Sequence, residues 1–187
     1  MLKLAGTVRP YDGRTILFHW LTVLLVAGQW LGAHAIDWFP KGWPRTDIRS
    51  LHILFGAVLA GLIVARLLWR WRGGRQLPDA DSGPLQIAAT FVHGLLYVLL
   101  ITTVTLGLLN AWFRGDSLFG TVSLPRPSFV GKDTRAQVEN LHALVANSIL
   151  IVAAFHASAA LWHHYWRHDG ILGRMIPGLR PHRAGGR

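Results

Sequence analysis

Long stretches without a charged residue alternate with short polar segments along this 187-residue chain. The four charge-free windows are residues 15–36, 50–65, 82–113 and 140–166. A bilayer core about 30 Å thick requires roughly 20 apolar residues in a helix, and lipid leaves no backbone polar group unpaired. The second window is short, but Arg66 and Arg70 extend it when their charges reach towards the headgroups. The pattern predicts transmembrane helices at about 15–36, 50–70, 84–113 and 138–166.

The polar connections between these helices are short, which makes sequential helices antiparallel neighbours. Only 15% of the residues are charged, whereas a soluble domain averages about a quarter. A soluble bundle with buried helices is the alternative, but it would lack polar residues for its surface. We therefore predict a single all-α domain over residues 1–187, an integral membrane four-helix up-down bundle.

The distribution of basic residues predicts how this bundle lies in the membrane. Twelve of the 19 Lys and Arg residues fall in the two tails and the connection between the second and third helices, and seven fall on the opposite side. The positive-inside rule therefore predicts that both termini are cytoplasmic. The net charge of +10 is explained by this topology. Nucleic-acid binding would require a basic face on a soluble domain, and the sequence shows none.

Histidines are unusually frequent in the apolar windows, and the chain has no cysteine. The eight that fall there are His19, His34, His52, His93, His142, His156, His163 and His164. Ionisable residues inside a membrane are functional by default, and neutral imidazole is a common ligand of haem iron. The absence of cysteine excludes disulfides, thiolate-bound iron–sulfur clusters and covalently attached haem within this chain.

The spacing of two histidines on the fourth helix indicates two separate sites. His142 and His156 are 14 residues apart, which is about 40° short of four full turns and about 21 Å along the axis. They share one face of the helix but are too far apart to bind one metal. The spacing therefore predicts two cofactors stacked across the bilayer.

Depth suggests a partner for His142. His52 follows Arg49 by three residues, and His142 follows Glu139 by three residues. Both helices run inward from the outer surface, so the two imidazoles lie at matching depth. We predict that they hold one iron between them.

The partner of His19 is less determined by spacing. His19 follows Arg14 by five residues on a helix that runs outward, which places it near the inner surface. His156 lies at a similar depth, but His163, seven residues further along the same face, matches equally well by distance from the helix end. His93 on the third helix is a further candidate in the inner half.

On the second helix, two arginines follow His52 at spacings similar to the 14 residues between His142 and His156. Arg66 and Arg70 lie 14 and 18 residues after His52, so they project from the same face near the cytoplasmic surface. Arginine pairs with carboxylates in a two-pronged geometry, and haem propionates are carboxylates. The alternative interpretation is ordinary anchoring of the helix end by positive charge.

Several sequence stretches carry a resemblance to a known family. They are Phe18-His19-Trp20, Leu51-His52-Ile53-Leu54-Phe55-Gly56, Val64-Ala65-Arg66-Leu67-Leu68, His93 with Tyr97, Leu141-His142, and Phe155-His156-Ala157-Ser158-Ala159-Ala160-Leu161 leading into His163-His164-Tyr165. Over about residues 14–177 the chain resembles the prokaryotic cytochrome b561 family. The resemblance implies two non-covalent, bis-histidine haem b groups in the bacterial inner membrane. It implies that His52 and His142 hold the outer haem, that His19 and His156 hold the inner one, and that His93 lies in the cofactor-binding region.

The resemblance also implies electron exchange with quinone. Some family members resemble superoxide oxidases, and others serve as cytochrome subunits of a hydrogenase or dehydrogenase. Our leading prediction is oxidation of superoxide at the periplasmic face and reduction of ubiquinone. Bis-histidine ligation favours outer-sphere electron transfer, and outer-loop cations such as Arg126, Lys132 and Arg135 would attract a small anion.

Two alternatives to this prediction stay open. The first is a membrane anchor that passes electrons between a redox partner protein and the quinone pool. The second is a proton or metal transporter that uses the same histidines as a relay. A reduced-minus-oxidised visible spectrum distinguishes the transporter, because a transporter has no b-type haem bands.

A catalytic role is predicted for His163. It lies between His156 and the cytoplasm, and histidine changes charge near physiological pH, which suits a proton donor to reduced quinone. Arg66, Arg70 and Arg72 would add positive charge that favours an anionic quinone species. The alternative is that His163 only terminates the helix at the membrane interface.

Overall fold

The computed structural model describes residues 9–75, 77–78 and 82–179. Its main elements are helices α1 (Gly13–Ile36), α2 (Trp43–Arg72), α3 (Pro84–Arg114) and α4 (Lys132–Trp162), and the strands β1 (Ser117–Leu118) and β2 (Val122–Ser123). A π-helical turn, His163–Arg167, extends α4, and a short 3-10 turn, Leu172–Arg174, follows it. The single domain predicted over residues 1–187 extends at both ends beyond the described residues.

All four long helices are long and apolar enough to cross a bilayer. Their mean hydropathy over 18 residues is 1.6, 2.2, 2.0 and 1.9 in chain order. The predicted all-α architecture with four membrane-length helices is confirmed, and the two-residue strands form the single antiparallel hairpin of the described chain.

Two helices begin earlier than the charge-free windows predicted. Helix α2 starts at Trp43 instead of about residue 50, and Pro44 occupies its first turn, where no backbone donor is needed. Helix α4 starts at Lys132 instead of about residue 138, with Asp133 in its first turn next to the positive end of the helix dipole. Charged residues are compatible with a helical turn outside the hydrocarbon core, so the absence of charge marked only the apolar part of each helix.

The beginning of α1 is fixed by one carboxylate. Asp12 caps the helix by accepting hydrogen bonds from the Thr15 backbone N–H at 3.0 Å and from the Thr15 hydroxyl at 2.7 Å. It also accepts from the Trp69 indole at 3.0 Å and from the Arg75 N–H at 3.1 Å. Burial alone would raise the pKa of Asp12, but these hydrogen bonds outweigh it and hold the pKa well below its ordinary value. Asp12 thereby joins the start of α1 to the end of α2.

The segment after the π-helical turn packs at the same end of the bundle. The Tyr11 N–H donates to the Arg174 carbonyl at 3.0 Å, and the Trp20 indole donates to the Met175 carbonyl at 3.1 Å. Arg174 in turn donates to the carbonyl of Pro78 at 2.8 Å. The described parts of both termini therefore meet at one end, called the inner end below. The end that carries the hairpin is called the outer end.

The hairpin at the outer end is fastened to α2 by a buried hydroxyl. Ser50 has no exposed surface. Its Oγ lies 2.7 Å from the Thr46 carbonyl and 3.2 Å from the Ser117 carbonyl, and it accepts the Phe119 N–H at 2.9 Å. Because Thr46 belongs to α2 and Ser117 and Phe119 belong to the hairpin, Ser50 fixes the hairpin to the helix.

The apolar core is small and lies in the middle of the bundle. Leu59, Ile63, Leu100 and Ile149 form its buried cluster. Extensive helix contacts occur between α1 and α2, α2 and α3, and α3 and α4. Most other large apolar side chains are exposed, as expected where lipid replaces water around the helices.

Candidate functional site

Two pairs of histidines face each other inside the bundle. His52 on α2 and His142 on α4 have their ring centres 6.3 Å apart, with the ring planes at 87°. His19 on α1 and His156 on α4 have their ring centres 6.4 Å apart, with the planes at 65°. The structure therefore brings together the outer pair that depth predicted. It also brings His156, rather than His163, against His19.

Both separations fit a metal ion between the rings. An imidazole nitrogen binds a metal at about 2.0–2.1 Å and its ring centre lies about 1.1 Å further, so two opposed imidazoles place their centres about 6.2–6.4 Å apart. The two measured separations of 6.3 and 6.4 Å lie in this range.

The composition of the site favours haem over a metal held by protein alone. In the described residues no group of three or more His, Cys, Asp or Glu side chains is placed to hold a metal ion. A zinc site takes three or four protein ligands. Haem brings four equatorial nitrogens of its own and takes only axial ligands from the protein, which matches two histidines per site.

Two further observations fit a flat group between these rings. The Nδ1 atom of His52 is buried without a hydrogen-bond partner among the described residues, and buried imidazole nitrogens normally have one. The pairs also bridge α1 to α4 and α2 to α4, whereas the extensively packed helices are the sequential neighbours. The histidines thus lie on helices that leave space between them.

The outer pair is supported by contacts from the other two helices, α1 and α3. The Nδ1 of His142 lies 3.0 Å from the Thr103 carbonyl on α3, so its N–H donates to that oxygen when Nε2 binds iron. A Cβ on Gly107 would come within 3.0 Å of His142 Cε1. On α1, the side-chain amide of Gln29 donates to the His52 carbonyl at 2.8 Å. None of these three supporting residues was predicted from the sequence.

The inner pair has a positively charged neighbour, Arg66. Arg66 Nη2 lies 3.5 Å from Nδ1 of His19, and the Arg66 guanidinium stacks over the Tyr97 ring with its carbon 5.3 Å from the ring centre. The ring centre of His93 lies 5.1 Å from that of His156, which is too close for these two histidines to share one iron on opposite sides. His93 therefore borders the inner pair, at the position expected of a cofactor neighbour.

The other two predicted arginines lie closer to the end of α2 than Arg66 does. Arg70 and Arg72 are both exposed in the last turn of α2. Arg72 follows His52 by 20 residues, which rotates it about 200° around the helix, to the opposite face. Arg66 is thus the one of the three for which the structure provides a direct contact with a site histidine.

His163 lies in the π-helical turn and is buried, with 8% of its surface exposed. Its Nδ1 lies 2.5 Å from Asp169 Oδ2, and Arg167 Nε lies 3.7 Å from the same oxygen. The second carboxylate oxygen of Asp169 accepts the Ile171 N–H at 3.2 Å. The sequence analysis missed Asp169, although an acidic residue directly after the last helix in a basic tail is a usable signal.

A charged cavity of about 470 Å³ opens at the outer end. Its lining comprises Asp37, Lys41, Gly42, Arg45, Thr46, Arg49, Arg114 and Glu139. Four cations therefore face two carboxylates, and Arg49 and Glu139 lie three residues before the outer histidines. These cations differ from Arg126, Lys132 and Arg135, which the sequence analysis had singled out.

Ion pairs hold this cavity lining in place. Arg45 pairs with Asp37, and Arg114 pairs with Glu139 at 3.4 Å. Asp116 lies 3.5 Å from Arg114 and 3.8 Å from Arg49. Burial raises the pKa of Asp116 above its ordinary value even though both arginines act in the opposite direction. The lining is therefore an interlocked charge network on the outer surface.

Four membrane-length helices with opposed histidines at two depths define a transmembrane cytochrome of the b type. The family model described as prokaryotic cytochrome b561 matches residues 10–178, and the chain belongs to this family. The family binds b-type haem and takes part in transmembrane electron transfer.

Individual relatives agree with this assignment. "Cytochrome b561 homolog 1" of Escherichia coli (strain K12) is 30% identical over 167 residues, which covers 87% of this chain and 94% of the relative. "Probable superoxide oxidase CybB" of Yersinia pestis is 28% identical over 175 residues, which covers 92% and 98%. "Cytochrome b562" of Cereibacter sphaeroides is 29% identical over 126 residues, which covers 67% and 66%.

Proposed function

We propose that this protein is a di-haem superoxide:quinone oxidoreductase of the bacterial inner membrane, with both termini cytoplasmic. The observation that carries the proposal is the pair of opposed histidines at each end of α4, each separated by the distance of two axial ligands. One haem b would be held by His52 and His142 and the other by His19 and His156. Bound there, haem supplies one-electron redox chemistry at two depths of the bilayer.

The residues around each pair would hold and orient the two groups. The Thr103 carbonyl fixes the Nδ1–H of His142, which leaves Nε2 for the iron. Arg66 lies where a carboxylate of the inner group could pair with it, and His93 borders the same space. Arg70 and Arg72 would add positive charge at the inner end.

The outer cavity supports a small anion as the electron donor. Its lining carries two more positive than negative side chains directly above the outer histidine pair. A concave site with a net positive charge raises the local concentration of a small anion. Two histidines would hold each haem, and the haem would supply one-electron chemistry that does not require superoxide to bind the metal. The relative named as a probable superoxide oxidase supports this choice of donor.

The inner end supports protonation of ubiquinone. Reduction of one quinone to quinol consumes two electrons, supplied by two superoxide ions that leave as two O2, and two protons. His163 is buried seven residues beyond His156 and faces Asp169, so it can donate a proton and be reprotonated from the cytoplasmic side. We therefore assign His163 as the proton donor to the quinone.

The decisive experiment uses the purified full-length protein, with no partner protein, in detergent. Enzymatically generated superoxide should reduce the haem bands and convert a soluble ubiquinone analogue to quinol, and added superoxide dismutase should abolish both reactions. His34→Ala is a suitable control variant, because His34 stacks on Trp30 at the outer end and belongs to neither pair. Two haems per chain that superoxide cannot reduce would reject the donor and favour the anchor-subunit alternative.

A further inference from the structure

The two histidine pairs differ in the groups that touch their imidazoles. In the outer pair, the Nδ1 of His142 faces a backbone carbonyl, that of Thr103, at 3.0 Å. In the inner pair, the Nδ1 of His19 faces a guanidinium, that of Arg66, at 3.5 Å. One imidazole thus meets a hydrogen-bond acceptor, and the other meets a cation.

These neighbours have opposite effects on a bound iron. An N–H that donates to a carbonyl makes the imidazole a more basic ligand, and a more basic ligand stabilises the oxidised metal. A cation beside the imidazole makes it less basic and disfavours additional positive charge nearby, which stabilises the reduced metal. The outer site is therefore built to lose an electron and the inner site to keep one.

Packing holds both neighbours in position. Gly107 lies one turn along α3 from Thr103, and an added Cβ there would meet His142 Cε1 at 3.0 Å and Nδ1 at 3.4 Å. An alanine there would require the His142 ring to shift by a few tenths of an ångström from its place against the Thr103 carbonyl. At the other site, the Tyr97 ring lies beneath the Arg66 guanidinium at 5.3 Å, a distance that suits a cation–π contact.

We propose that Arg66 and the Thr103 carbonyl set the order of the two redox potentials, with the inner centre higher, and that Gly107 is a positioning residue for His142. This inference rests on the proposed function, because it requires haem at both pairs. An electron that leaves the outer centre oxidises it and reduces the inner one, with no proton transferred in this step. The order of potentials would make transfer towards the quinone side favourable.

Redox titration of the purified two-haem protein tests the inference through the haem spectra and not through turnover. Arg66→Met should lower the redox potential of the inner centre. The electron distribution between the two centres should shift at least tenfold away from the inner one, which corresponds to about 59 mV for a one-electron couple. Arg66→Lys keeps the charge and should restore most of the difference. An unchanged redox potential of the inner centre in Arg66→Met would overturn the role of Arg66.

The matched test at the outer centre uses two glycines. Gly107→Ala should displace the His142 ring from Thr103. The redox potential of the outer centre should then rise, so that the electron distribution shifts at least threefold towards the outer centre, or the outer haem should be released. Gly61→Ala is the control, because an added Cβ there meets nothing within 4 Å. Equal titration curves for the two alanine variants would overturn the positioning role of Gly107.

A third measurement does not depend on how the arginine or glycine variants fold. Protein with His142→Ala should retain only the inner haem, and its single step should match the upper step of the wild-type titration. A match with the lower step would overturn the inference and leave the proposed function intact. Fewer than two haems in the wild-type protein would instead reject the proposed function, and the inference with it.

Discussion

At the outer end, a hairpin fastened through Ser50 and an ion-paired ring of arginines lie above the histidine pair. At the inner end, three chain segments meet around Asp12, and a π-helical turn buries two consecutive histidines, His163 and His164. Among the described residues, the outer end is rich in fixed charge, and its histidine pair is only partly buried. The inner end carries an imidazole–carboxylate contact between His163 and Asp169.

This difference matches the needs of the two half-reactions. Oxidation of superoxide requires attraction of an anion and electron transfer, but no proton. Reduction of a quinone requires protons where the electrons arrive, and an imidazole held by a carboxylate is suited to supply them. The π-helical turn fits the same interpretation, because π-helical turns occur frequently at functional sites.

The largest expected effect separates the two ends by haem content. His52→Ala and His142→Ala should each remove the same haem, and His19→Ala and His156→Ala the other, because each pair would share one iron. The haem-to-protein ratio should fall from two to one in all four variants, with the lost spectral component common to each pair. His163→Ala should keep both haems, and loss of the inner haem in that variant alone would reverse the assignment of His156.

The next effect isolates the proton-donating function of the inner end. His163→Ala should slow quinone reduction at least about tenfold, the low end for one acid–base group, while superoxide still reduces both haems at the wild-type rate. Asp169→Asn should give a smaller loss, because His163 keeps its place but loses its negatively charged partner. Stopped-flow measurement of haem reduction and of quinol formation separates the two steps. Normal quinol formation in His163→Ala would leave the proton donor unassigned.

A moderate effect is expected at the outer cavity. The double variant Lys41→Gln with Arg45→Gln removes two of the four cations in the lining, and should slow haem reduction by superoxide about three- to tenfold at low salt, within the range of electrostatic steering. Its rate should also depend less on ionic strength. The double variant Lys132→Gln with Arg135→Gln is the matched control, because it removes two cations from the same end that do not line the cavity. Equal losses in the control would show that only overall charge matters.

The sequence predicts the four helices, and the depths of the two histidine pairs, because lipid imposes strong rules on it. Charge is excluded from the hydrocarbon core, and a 14-residue spacing on one helix fixes both the face and the separation of His142 and His156. Spacing along single helices contains no information on how the helices rotate against each other. For this reason depth left the partner of His19 open between His156 and His163. The family resemblance favours His156, and the arrangement of α1 against α4 brings His156 against His19.

The residues that the sequence analysis missed act through contacts between helices or loops. Gln29, Thr103 and Gly107 are unremarkable in an apolar window until α1 and α3 are packed against the histidine-bearing helices. The cavity cations come from two separate stretches of chain, residues 41–49 and Arg114. The π-helical turn that buries His163 has no known local signal, since its residues continue the pattern of α4.

The smallest effect concerns Asp12 and the stability of the inner end. Because the pKa of Asp12 is lowered in the folded protein, its ionised form contributes stability that is fully present above the ordinary value of 3.8 and is lost as the pH falls through the lower folded value. Asp12→Asn should therefore lower the unfolding temperature at pH 7 by about 2–4 °C, the shift expected for about 1 kcal/mol in a chain of this size. The difference should be unchanged down to about pH 5 and shrink below about pH 4. Thermal unfolding in detergent, followed by circular dichroism from pH 7 to pH 3, measures it, and a difference at pH 3 that is no smaller than the difference at pH 7 would assign the loss to packing instead of charge.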